Sequence, residues 1–287
     1  MKRVLLSLLI SITALTACAQ TAPKSAFFTT SDGVRLHYLE AGKGPAIVFI
    51  PGWTMPAWIW EKQIAHFAPK YHVVAIDPRS QGESDKAAEG NYSERRARDY
   101  KELVDHLKLD SPVLVGWSMG VQELLTYADE FGPASVGGFV LVDGFIWDKI
   151  DPQMAQALAK WMRGFQRDRR KSTQGFVRSM YHKPQAEDYL RRVTEASLAT
   201  PTNSAALLIH NMDREDWTPV LAKLAEAKTP VLATFTAQEM KTVDLLRAKV
   251  PAAQVVIFED AGHALFVDDA ERFNTVVQQF IEGIRAK

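Results

Sequence analysis

The sequence predicts an α/β fold: a mostly parallel sheet flanked by helices, with a helical cap insertion. Three observations predict it. Short, continuous apolar runs recur along the chain: AIVFI (46–50), HVVAI (72–76), PVLVG (112–116), FVLVD (139–143), VLATF (231–235) and VVIF (255–258). Runs of this length, rich in Val and Ile, are expected of strands buried on both faces, and so of a parallel sheet. Helix-period segments lie between them, which puts helices over the sheet. One interval, about 145–216, has amphipathic helical stretches such as MAQALAKWMRGFQR and AEDYLRRVTEASL but no strand run. A helical insertion after a sheet strand is expected to cap the carboxyl ends of the strands, where open α/β sheets bind ligands.

The first element is not part of the fold. MKRVLLSLLISITALTACAQ has a basic start, an apolar stretch from Val4 to Leu15 and then small residues, which is the anatomy of an export signal. LTAC at 15–18 resembles a bacterial lipobox, and Cys18 is the only cysteine of the chain. The resemblance implies a signal peptide over 1–17, lipidation of Cys18 and a tether over 18–26. Ala19 after the cysteine implies anchoring in the outer membrane, facing the periplasm. Several acyl chains would hold the protein there stably. An ordinary signal peptide cleaved later, after Ala22, is the alternative. A lone cysteine permits no disulfide within the monomer.

From 27 to 287 no linker, repeat or low-complexity tract appears, so one globular domain is expected, with the cap inside it. AFFTT and VRLHYLE read as an antiparallel hairpin turning at Asp32 and Gly33. In SERRARDYKELVDHL, Ala97, Tyr100, Leu103, Val104 and Leu107 share one helix face. The densest basic cluster, RGFQRDRRK (163–171), reads as a solvated helix face. The 34 basic side chains balance 34 acidic ones, and 47% of residues are hydrophobic. That suffices for one large core and leaves none of the positive field that nucleic-acid binding needs, so nucleic acid is not an expected partner.

The chemistry concentrates at strand ends. VLVGWSMG (113–120) is a strand leading into G-x-S-x-G, followed by the helical VQELLTYADEF. Strand, glycine-flanked serine and helix together make a nucleophile elbow with Ser118 as nucleophile, and the helix amino terminus favours developing negative charge. A serine hydroxyl needs a base to take its proton. His263, in FEDAGHALFVDD between the last strand and the final helix, comes at the right point in the order nucleophile, acid, histidine. His37, His66, His72 and His106 are assigned no role, and His182 and His210 fall in the cap within reach of substrate. No histidine pair has metal-ligand spacing, so neither metal nor cofactor is expected.

Over roughly residue 27 to the end, the chain resembles an α/β-hydrolase of the serine esterase and cofactor-free haloperoxidase-like group. The resemblance rests on GWSMG, GHALF, IPGWTMPAWIW (50–60) and DPRSQGESD (77–85). IPGWTM resembles the family's oxyanion loop, with Pro51 where histidine is usual. It implies an oxyanion hole made by the backbone N–H groups of Trp53 and Met119. DPRSQGESD resembles a D-x-R-G-x-G-x-S loop, with Ser80 at a usual glycine, and reads as structural. The family most often draws its acid from a G-x-x-D turn after the strand VLATF. Here TAQEM offers Glu239, in a segment that reads as a helix starting at once. Some members draw the acid from the preceding strand end, where FVLVDG offers Asp143. Asp143 leads, Glu239 is the alternative, and Asp260 and Asp244 lie further back.

Aromatic residues gather at these segments: Trp53, Trp58, Trp60, Trp117, Phe145 and Trp147. If two of them line the cleft, the small-molecule substrate has an apolar portion. The expected activity is hydrolysis of a carboxylic ester, less readily an amide or thioester, through an acyl-enzyme on Ser118. Perhydrolysis of the haloperoxidase kind is the alternative, followed by a non-catalytic binding protein of the same fold.

Overall fold

The computed structural model describes residues 22–211 and 216–286. Cys18 and the expected signal peptide lie outside them. Eight strands form one sheet: β1 (Lys24–Thr29), β2 (Arg35–Ala41), β3 (Ala46–Ile50), β4 (His72–Ile76), β5 (Val113–Trp117), β6 (Gly138–Val142), β7 (Val231–Thr236) and β8 (Gln254–Phe258), in the order β1-β2-β4-β3-β5-β6-β7-β8. β2 is antiparallel to β1 and β4; every other pair is parallel. The hairpin turns at Asp32 and Gly33 as expected, with Gly33 at φ 83°, a conformation that glycine adopts freely. β1 begins at Lys24, so Lys24, Ser25 and Ala26, expected in the tether, belong to the sheet.

The apolar runs are continuous because both faces of the sheet are covered. In β3, Val48 and Ile50 point into one core while Ile47 and Phe49 point into the other. The first core is closed by α2 (Ser93–His106), α3 (Met119–Phe131), α8 (Thr218–Glu226) and α9 (Met240–Lys249). The second is closed by α1 (Glu61–Phe67), α10 (Leu265–Asp268) and α11 (Ala270–Arg285). Between β6 and α8 come α4 (Pro152–Arg167), α5 (Arg169–Ser179), α6 (Glu187–Leu198) and α7 (Thr202–His210), inside the interval expected to form a cap.

Two polar features depart from the sequence reading. The basic run 163–171 is not one solvated face: Asp168 interrupts it and caps α5 by accepting from Lys171 N. Arg169 then turns inward, stacks over Phe165 at 4.0 Å and donates to Ser197 O at 2.8 Å. Burial pushes its guanidinium down to about 10. The inner face of α2 is likewise not only apolar, since Arg96 and Asp99 are buried in it.

Arg96 explains how the fold steadies the strand tips. Its Nη1 donates to Glu123 Oε1 at 2.8 Å, and its Nη2 donates to Arg79 O and Gln81 Oε1 at 2.8 and 2.9 Å. Gln81 passes the restraint on, donating through Nε2 to Gly52 O and Met55 O at 3.1 and 2.8 Å. DPRSQGESD therefore braces the loop after β3 against α3, a structural role. Arg96 and Glu123 are each 1% exposed, so removal of one partner strands the other charge. Glu123→Ala is expected to lower unfolding free energy by about 3–5 kcal/mol, read from urea denaturation.

Candidate active site

The strand β5 delivers Ser118 at its tip in a backbone conformation, φ 58° and ψ −120°, that non-glycine residues rarely adopt. The surroundings enforce it. Ser118 N donates to Val142 O at 2.9 Å, and Ser118 O accepts from Val121 N at 3.0 Å. The turn is closely packed: a Cβ on Gly116 would lie 2.5 Å from Gly120 O, and one on Gly144 would lie 2.5 Å from Val121 Cβ. The glycines of GWSMG thus serve close packing, and the residue with the unusual φ is the serine itself. Its side chain stands at the head of α3.

The imidazole of His263, on the loop between β8 and α10, is held from several sides. Its Nδ1 lies 2.8 Å from Asp143 Oδ2. Asp143 is buried at the tip of β6, and its Oδ1 accepts from Thr236 N at 2.7 Å. This carboxylate is therefore fixed by one neighbour strand while it faces the histidine. Trp117 Nε1 donates to His263 O at 2.8 Å, and Phe145 stacks against the ring at 6.4 Å between centroids. Asp268 secures the loop by accepting from Gly262 N and His182 N at 2.8 and 2.7 Å. Nothing in the sequence singles out Asp268; only its packing reveals it.

Glu239 ends a short turn that runs straight into α9, and its carboxyl reaches the same region without replacing Asp143. Burial pushes that carboxyl up to about 7; the Asp143 carboxylate adds to the rise and His263 opposes it. Both candidate acids thus lie near the histidine, and the hydrogen bond belongs to Asp143. Asp244 and Asp260 are exposed. Among the other histidines, His37 is buried against Asp77 at 2.7 Å, and His182 and His210 line the cavity described next.

A cavity of about 1320 Å³ opens over the strand tips and is lined by Ser118, Asp143, Glu239 and His263 together. No hydrogen bond joins Ser118 to His263 among the described contacts, where His263 Nδ1 is engaged by Asp143. Trp53 and Met119 also line the cavity, and neither backbone N–H donates to a described backbone acceptor. Phe145 and Trp147 add to its wall, whereas Trp60 and Trp117 are core residues and Trp58 lies under Arg192 at 3.6 Å. Among the described residues no group of three His, Cys, Asp or Glu side chains could hold a metal ion.

Trp53 ties this floor to the cap. Its Nε1 donates to Ala205 O of α7 at 2.8 Å, and its indole packs against Trp161, Phe165 and Phe176. Thr54, at φ 61°, adds a 2.7 Å hydroxyl contact to Ser197 of α6.

Comparison with known proteins gives three kinds of match. A family model described as alpha/beta hydrolase fold matches residues 45–270. An AB hydrolase superfamily protein of Bacillus subtilis is 24% identical over 88% of this chain and 98% of its own. A non-heme haloperoxidase of Rhodococcus erythropolis is 33% identical over 45% of this chain and 46% of its own. An esterase structure from Exiguobacterium antarcticum superposes with a TM-score of 0.84 at 20% identity, covering 90% of this chain and 100% of that one, a likeness of fold.

The raised Glu239 carboxyl has a consequence for stability. The ordinary value is 4.5 and the folded value about 7, so the folded state binds this proton more tightly than the unfolded state. Its contribution is full below about pH 4.5 and is lost as pH rises through 7. Glu239→Gln should therefore gain on the wild type by a few degrees in Tm between pH 4 and pH 8, measured by scanning calorimetry. A Tm difference that does not change with pH would refute the burial argument.

Proposed function

Because the chain belongs to the α/β-hydrolase fold family, we propose that it is a serine hydrolase cleaving a carboxylic ester through an acyl-enzyme on Ser118. One observation carries the reading: His263 Nδ1 meets Asp143 Oδ2 at 2.8 Å beside the cavity that also holds Ser118. With Nδ1–H given to Asp143, Nε2 is the nitrogen left to accept the serine proton.

The steps follow from these groups. Ser118 Oγ attacks the acyl carbon while its proton passes to His263 Nε2. Asp143 holds the imidazole tautomer and stabilises the imidazolium that forms. The carbonyl oxygen becomes an oxyanion, which the N–H groups of Trp53 and Met119 stabilise. The intermediate collapses, the C–O bond to the alcohol breaks, and His263 returns the proton to the leaving oxygen. Water then repeats the sequence against the acyl-serine, giving the carboxylic acid and free Ser118. Ester ranks above amide because an alkoxide leaves more easily than an amine.

The match to the Rhodococcus haloperoxidase favours a second reading, in which peroxide takes the place of water on the same acyl-enzyme. Peroxide-dependent bromination, compared with p-nitrophenyl ester hydrolysis, separates the two. LTAC supports a further part of the proposal, a lipid anchor on Cys18 that holds the domain at the outer membrane facing the periplasm. Cys18→Ser is expected to abolish palmitate labelling; retained labelling contradicts it.

A fluorophosphonate probe should label the wild type and not Ser118→Ala. An unlabelled, folded wild type would favour a binding protein without turnover. Asp143→Asn is expected to lower kcat about a thousandfold or more, because the imidazole then takes the wrong tautomer. Glu239→Gln should cost less than tenfold, and the reverse ranking would make Glu239 the acid.

A further inference from the structure

We propose that the ester is one with a long unbranched hydrocarbon chain, laid along the side of α4 that borders the cavity. The inference deepens the esterase reading and rests on it. The cavity is divided by chemistry. Its floor holds Ser118, His263, Asp143, Glu239 and Gln122, all from strand tips or the loops and helices that follow them. Its roof is built by cap residues that are chiefly apolar, Leu158, Trp161 and Met162 of α4, Phe176 of α5 and Leu207 of α7. An ester held at the floor therefore presents its apolar part to the roof.

The shape of the roof selects a chain over a compact group. Of the α4 residues that line the cavity, Ala155, Leu158, Ala159, Met162 and Gln166 share one face at a spacing of three or four residues, flanked by Ala157, Trp161 and Arg163; Ala155, Ala159 and Gln166 are exposed, so the row borders the open side of the cavity. From Ala155 to Gln166 the helix advances ~16 Å at its usual rise per residue. The side chains along that path suit a slim occupant: two alanines leave space for it, Leu158 and Met162 give it apolar contact, and Gln166 closes the row with a polar group. The volume of about 1320 Å³ also exceeds the upper range of pockets that bury compact drug-sized ligands, about 1,000 Å³. A methyl ester or acetate leaves most of this surface wet.

The test is a series of p-nitrophenyl esters from acetate to decanoate, below their critical micelle concentrations. Each methylene buried raises kcat/KM by up to about fourfold, so decanoate should exceed acetate by at least tenfold. Ala159→Trp fills the channel and should lower the decanoate-to-acetate ratio tenfold or more. The acetate rate on the same preparation controls for folding. Leu207→Asp, on the facing helix at an exposed position, should lower the ratio in the same direction.

Acetate turnover lost in Ser118→Ala, with no preference for decanoate, overturns the chain-length inference and leaves the esterase reading standing. If no ester is cleaved, the esterase reading falls, and binding decides the occupant. Quenching of tryptophan fluorescence in Ser118→Ala should then report decanoate at least tenfold tighter than butyrate. Equal affinity refutes the channel.

Discussion

Crowding around Ser118 is the constraint on which the site depends. Four glycines surround it: Gly52, Gly116, Gly120 and Gly144. A Cβ on Gly52 would meet Ser118 Cβ at 3.0 Å, and one on Gly144 would meet Ser118 O at 2.8 Å. Backbone therefore closes in from the ends of three neighbouring strands, β3, β5 and β6, with no side chain between. The positive φ of Ser118 persists because the tips of these strands leave its backbone no other course. Ser118 is left at the surface of the cavity, which Trp53 and Met119 also line.

Such packing needs support from beneath, and it is largely electrostatic. Arg96, Glu123 and Gln81 form a buried chain that ends on the carbonyls of Gly52 and Met55. Asp77 adds a second hub: its Oδ2 accepts from His37 and from Glu83 N, and its Oδ1 from Ala57 N. These groups carry little of the substrate chemistry, but they fix the loop after β3 to the helix that begins beside Ser118. Buried charges are tolerated here because each is paired and hydrogen-bonded.

The sheet is legible in the sequence because parallel strands buried on both faces leave unbroken apolar runs, and all six such runs form strands. Ser118 and His263 stood out through motif and chain order. The partner of His263 did not, since Asp143 and Glu239 sit at the tips of adjacent strands and differ only in how the local backbone aims them. Thr236 N settles the difference by holding Asp143, a contact 93 positions apart in the chain. The run that holds Arg169 reads as solvated, and Arg96 carries no signal of its own, for a related reason. A charged residue on a helix looks exposed until its distant partners are known.

Trp53 joins two parts of the molecule that are usually regarded as separable. Its amide belongs to the loop beside Ser118, and its indole is locked to α7 and to the aromatic cluster of α4 and α5. The cap is therefore not an interchangeable module. A foreign cap grafted onto this sheet would leave a buried indole N–H without its acceptor and release the very loop that carries the amide. A roof rebuilt for another substrate must still present a backbone carbonyl where Ala205 O now stands, whichever side chain that position carries.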